Sequence, residues 1–129
     1  MTDTRQTITD LTHRLDAHSS LPRDTRIPYQ LLKIQEEAGE VAKAAIGLAG
    51  ENPRKGVTHT QRDLEAKVCD VIVTAMVALT RLSPDAEAIF AHRTQHITDR
   101  DPDPNPPVTS AMQHPEPTAP DTSATDKHT

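Results

Sequence analysis

Between Thr60 and Leu82 the chain carries apolar residues on nearly every side of a helix, and this stretch decides most of what the rest can become. Leu64, Val68, Val71, Ile72, Ala75, Leu79 and Leu82 fall on one broad face at helical spacing, while Val73, Met76 and Val77 carry the apolar character round the cylinder. A helix apolar on most sides is expected to be buried on most sides. Its densest run, Val68 to Leu79, is well short of the roughly 20 residues that cross a bilayer. Asp70 and Thr74 interrupt it. An unpaired buried carboxylate costs on the order of several kcal/mol, so Asp70 is expected to meet a cation.

The flanking segments have the same character. Ile8, Leu11 and Leu15 share a face over residues 7–18, with Thr7 as the expected cap and Asp10 three residues on. The segment from Ser19 to Asp24 breaks that helix. A second helix is predicted from about Ile27 to Ala49, with Pro28 near its start, where a missing N–H is tolerated, and Gly50 as its stop. Glu51 to His59 lacks periodicity and contains Asn52-Pro53 and Gly56, so it reads as a loop. Thr60-Gln61-Arg62-Asp63 has the form of a capping box that opens the third helix. Ser83-Pro84-Asp85 introduces a fourth, on which Ala86, Ile89, Phe90 and Ile97 keep helical spacing. No strand pattern, internal repeat or glycine-rich phosphate loop is present. The expected fold is all-α, a bundle of about four helices.

Composition divides the chain into a helical domain, residues 1–100, and a tail, residues 101–129. The tail holds seven of the eleven prolines, and its only large apolar residues are Val108 and Met112. Such a segment buries too little apolar surface to offset the entropy of ordering it, and a disordered Pro-rich acidic tail is expected. It carries five acids and one base, so the body keeps 14 acidic residues against 13 basic ones, of the 19 and 14 in the whole chain. With no basic stripe and no set of stacking aromatics, nucleic acid is not an expected partner. One Tyr, one Phe and no Trp leave a core of Leu, Ile, Val and Ala, and aliphatic cores of this size often need a second chain. The first twenty residues lack the apolar centre of a signal peptide, and the lone Cys69 fits a reducing compartment. A cytoplasmic protein that does not enter a membrane is expected.

The chemistry concentrates in Lys33-Ile34-Gln35-Glu36-Glu37-Ala38-Gly39-Glu40-Val41. Glu36 and Glu37 each stand one turn before Glu40, which crowds three carboxylates on one turn. Like-charge pairs of this kind cost only about 0.2–0.5 kcal/mol each in water, so crowding alone does not demand a metal. On spacing alone, Glu36, Glu37 and Glu40 with Lys33 and Lys43 read equally well as a solvated face.

Glu36-Glu37-x-x-Glu40, an Asn-Pro-Arg-Lys-Gly loop and then an apolar helix with Asp70 together resemble the MazG-like branch of the all-α nucleoside triphosphate pyrophosphohydrolases. The resemblance covers roughly residues 27–82. The family motif is Glu-Glu-x-x-Glu followed by Glu-x-x-Asp, and the chain departs from it at Lys67, where the family has Glu. The resemblance implies water attack at the α phosphorus of a nucleoside triphosphate, releasing pyrophosphate and leaving the monophosphate. It further implies magnesium, with manganese as the alternative ion, held by Glu37, Glu40 and Asp70, with Glu36 as a near ligand or base. Arg54, Lys55 and Lys33 are the cations that could reach phosphates, and a homodimer or homotetramer is the implied assembly. Magnesium suits the donor set because it takes one or two carboxylates and fills its octahedron with water and phosphate oxygens.

Lys67 leaves two alternatives open. Its ammonium can pair with Asp70 three residues on, satisfying that acid without metal, or it can extend past the site to phosphate while one magnesium remains on Glu37, Glu40 and Asp70. Glu65 lies about 200° round the helix and is no substitute ligand. The first alternative describes a non-catalytic helical nucleotide-binding or dimerisation protein. Weaker signals are His92 and His96, four apart without a third metal ligand, and the proline spacing from Pro104 to Pro107. Asp63 reads most simply as a capping residue.

Overall fold

A computed structural model describes residues 3–100. They form four helices in order, α1 (Thr4–His18), α2 (Arg23–Ala49), α3 (Gln61–Leu82) and α4 (Ala86–Arg100), with no strand among the described residues. The all-helical expectation holds. The expected disordered tail concerns positions outside the described residues.

Local chemistry explains most boundaries. Thr60 opens α3 with a reciprocal capping box: its hydroxyl accepts from the Asp63 N–H at 3.2 Å, and its own N–H donates to Asp63 Oδ2 at 2.7 Å. The bond from the Thr60 N–H, and after it one from the Thr60 hydroxyl to the same Oδ2 at 2.8 Å, hold the Asp63 carboxyl below the usual aspartate range. Gly50 ends α2 in the left-handed conformation, at φ 70°, with its N–H returned to the Ile46 carbonyl.

Two starts differ from expectation. Asp3, rather than Thr7, caps α1: its carboxylate accepts from the Arg5 N–H, while the Thr7 hydroxyl donates to the Asp3 carbonyl. Helix α2 begins at Arg23, because the Pro22 carbonyl already accepts from the N–H groups of Thr25 and Arg26, and Asp24 suits the positive end of the helix dipole. Pro28 therefore lies inside the helix, where it withholds the bond that residue 28 would make to the carbonyl of Asp24.

Helix α3 is the hub. It packs against the other three, and its seam with α2 is by far the longest. The helices run antiparallel: Gln30 Nε2 donates to the Thr74 carbonyl at 3.0 Å near one end, and the Thr58 N–H donates to the Gly47 carbonyl at 2.9 Å near the other. On α2 the seam follows Gln30, Ile34, Glu37, Val41, Ala44 and Leu48, and on α3 Leu64, Lys67, Val71, Thr74, Ala78 and Arg81, each alternating three and four residues apart. Gly47 is required there, because a Cβ would collide with the side chains of Thr58 and His59.

The expectation that α3 is buried on most sides is not met. Ile8, Ala44, Val77 and Ala78 are the fully buried apolar side chains among the described residues, whereas Val68, Ile72, Val73 and Leu82 remain exposed. Among the described residues no helix covers the face of α3 that carries Val68, Ile72 and Val73. No described helix is long and apolar enough to cross a membrane.

Candidate functional site

Helix α2 sets its acidic turn against the seam unequally. Glu37 lies in line with Gln30 and Ala44, the two buried seam residues, and its side chain is only 16% exposed. Glu36 is turned out and exposed, and Glu40 is intermediate. Seven positions from Gln30 along α2, and seven from Thr74 along the antiparallel α3, bring Glu37 level with Lys67. Asp70 lies almost one turn away, level with Ile34.

Each carboxylate of the set has a lysine close to it. Lys33 Nζ donates to Glu36 Oε2 at 2.9 Å and approaches Glu37 Oε1 at 3.1 Å, and these two bonds, Glu36 first, hold its ammonium above the usual lysine range. Lys43 stands 3.5 Å from Glu40, and Lys67 3.5 Å from Asp70. All four contacts link residues three or four apart on one helix, and all have at least one exposed partner.

Asp70 departs from its expected environment. Its side chain is 51% exposed. Its apolar neighbours Val68, Ile72 and Val73 are themselves on the exposed face of α3, so they do not desolvate it. The need for a cation that burial would create is therefore absent, and Lys67 is near enough to serve as a surface partner. Cys69 is likewise exposed.

The donor chemistry of Glu37, Glu40 and Asp70 fits a hard cation, but among the described residues no three His, Cys, Asp or Glu side chains converge where a metal ion could sit. His92 and His96 acquire no third ligand either. Arg54 and Lys55 belong to the turn after α2, where the Asn52 side chain accepts from the Arg54 N–H. That turn lies about 14 Å along the helix axis beyond Glu40, so only an extended ligand can touch both regions.

A second polar cluster, unmarked by the sequence motifs, lies at the opposite end of the seam. Arg81 donates from Nε to Asp16 Oδ1 at 3.0 Å, from Nη1 to Gln30 Oε1 at 2.6 Å, and has Nη2 2.8 Å from Asp16 Oδ1. Arg26 Nη1 meets the same Asp16 oxygen at 3.1 Å. One arginine thereby joins α1, α2 and α3. The available signal was Arg81 itself, a charge on the seam one heptad after Thr74.

Compared with known proteins, the chain matches no family model, no curated protein and no solved structure.

Proposed function

We propose that this chain is a MazG-like nucleoside triphosphate pyrophosphohydrolase that converts an NTP or dNTP to the monophosphate and pyrophosphate with magnesium, or manganese in its place. The observation that carries this reading is Glu37, a carboxylate drawn into the seam between the two long helices, level with the turn of α3 that bears Lys67 and Asp70. The motif resemblance over residues 27–82 supports it.

In this reading Glu37 and Glu40 would hold the metal, and Asp70 would have to move toward them from α3 to join as a third ligand. When bound, magnesium neutralises phosphate charge and lowers the pKa of the attacking water. Glu36, exposed beside them, takes the proton from that water. Lys33 releases the carboxylates and turns to phosphate, which is feasible because Lys33 and Glu36 are exposed and both pairs are local to one helix. Lys67 follows the phosphate chain from the seam, and Arg54 and Lys55 meet the far end of an extended substrate. Replacing a motif glutamate by Lys67 removes an oxygen donor and weakens the site. The exposed Leu31, Leu32, Ile46, Val68 and Ile72 supply the surface for a homodimer or homotetramer.

The test is pyrophosphate release from a panel of canonical and modified nucleoside triphosphates. Turnover should require magnesium and disappear in Asp70→Ala; unchanged turnover in that variant sinks the proposal. The Lys67–Asp70 contact favours a second reading, a non-catalytic helical nucleotide-binding or dimerisation protein. That reading expects no pyrophosphate release and no magnesium-dependent rise in melting temperature.

A further inference from the structure

The Asp16 cluster contains more positive charge than the chain neutralises. Arg23, Arg26 and Arg81 line a cavity of about 120 Å³ together with one acid, Asp16. Asp16 Oδ1 accepts from both Arg81 and Arg26, and the Arg23 guanidinium donates to the Arg81 carbonyl at 3.4 Å. The hydroxyls on the wall do not add donors, since Thr12 donates to the Ile8 carbonyl and Thr80 to the Met76 carbonyl. Two positive charges are left over.

Arg26 is the informative member. It meets Asp16 through Nη1 alone. Among the described residues its Nε is a buried donor with no acceptor. Nε and Nη2 form the side-on edge of a guanidinium, the fork whose spacing matches two oxygens of a carboxylate or phosphate. An ionised donor closed off from both solvent and acceptor is unfavourable. An oxyanion lodged in the adjoining cavity gives that edge what it lacks once the fork turns toward it. At about 120 Å³ the cavity has room for a tetrahedral oxyanion.

We infer that the junction of α1, α2 and α3 is an anion site that takes a single phosphoryl-type oxyanion on Arg26 and Arg23, beside an Arg81 that stays bonded to Asp16 and Gln30. The site is independent of the acidic turn. Its ligand is either free phosphate or the phosphoryl group of a nucleotide.

The experiment follows thermal unfolding and phosphorus NMR line broadening of the full chain with inorganic phosphate, pyrophosphate or a nucleoside monophosphate. Chloride at matched ionic strength is the reference, and no divalent cation is present, which keeps the acidic turn out of the result. Phosphate should raise the melting temperature beyond chloride, and Arg26→Gln should weaken its binding about tenfold, as expected for the loss of one charge-assisted bond. Arg23→Gln, at an exposed position that leaves the Asp16 pairs intact, should weaken it in the same direction and carries the test if Arg26→Gln does not fold. Arg93→Gln on α4 should change nothing. Tighter binding of the monophosphate than of phosphate supports the site and identifies a nucleotide as the source, while the reverse order supports it with the free ion. Equal stabilisation by chloride, or full phosphate affinity in folded Arg23→Gln, overturns the inference.

Discussion

The two polar clusters flanking the α2–α3 seam use the same residue types in opposite ways. At the Asp16 end, Arg81 bonds residues 51 and 65 positions away, with its side chain only 11% exposed. At the acidic turn, Lys33, Lys43 and Lys67 pair only within their own helix, three or four residues off, each lysine at least a third exposed. A long-range ion pair with its arginine largely buried depends on the fold and helps define it. A local exposed pair exists in any version of the helix, is worth little, and can be broken by a ligand at small cost. The first cluster is architecture with spare charge; the second is chemistry the fold can do without.

That contrast is broken or sharpened by a graded series of variants, read by urea denaturation. Arg81→Met should be the most damaging, costing about 2–3 kcal/mol, because it takes the donor from Gln30 Oε1 and leaves Asp16 with Arg26 alone. An effect near zero would dissolve the distinction between the clusters. Gln30→Ala comes next at about 1–2 kcal/mol, since the Thr74 carbonyl loses its extra donor inside the seam. Thr60→Ala removes half of the capping box and should cost about 1 kcal/mol.

The same cap has a pH signature. Asp63 ionises more readily in the folded chain than its ordinary value of 3.8, so its contribution is complete above that value and is lost as the pH falls through the lower folded one. Acid unfolding of Thr60→Ala should therefore show a shallower fall in that window than the natural chain. Smallest of all is Lys67→Ala, within about 0.5 kcal/mol, because both partners of its ion pair are substantially exposed. A larger loss would mean that Lys67 supports the seam rather than the surface.

The local grammar was legible without coordinates. Thr60 with Asp63, Gly50, and the break between Asn52 and Gly56 marked the ends of α2 and α3 because caps and turns depend on neighbours in sequence. The start of α2 was less visible, since Pro28 was read as an opening proline although the Pro22 carbonyl and Asp24 had already begun the helix. The Asp16–Arg26–Gln30–Arg81 cluster was missed for a different reason. Its members are up to 65 positions apart, and periodicity carries no record of which helix faces which. Asp70 shows the converse: its apolar neighbours in sequence suggest burial, but Val68, Ile72 and Val73 lie on a face of α3 that no other described helix covers. The acidic turn was recognisable as a motif, while only the fold distinguishes Glu37, in the seam, from Glu36, outside it.

The most direct test of the proposed activity is magnesium-dependent pyrophosphate release measured side by side for the natural chain and Lys67→Glu. The expected result is release by the natural chain and faster release by Lys67→Glu, which places a further carboxylate beside Asp70. Release by neither protein, or by Lys67→Glu alone, would contradict it.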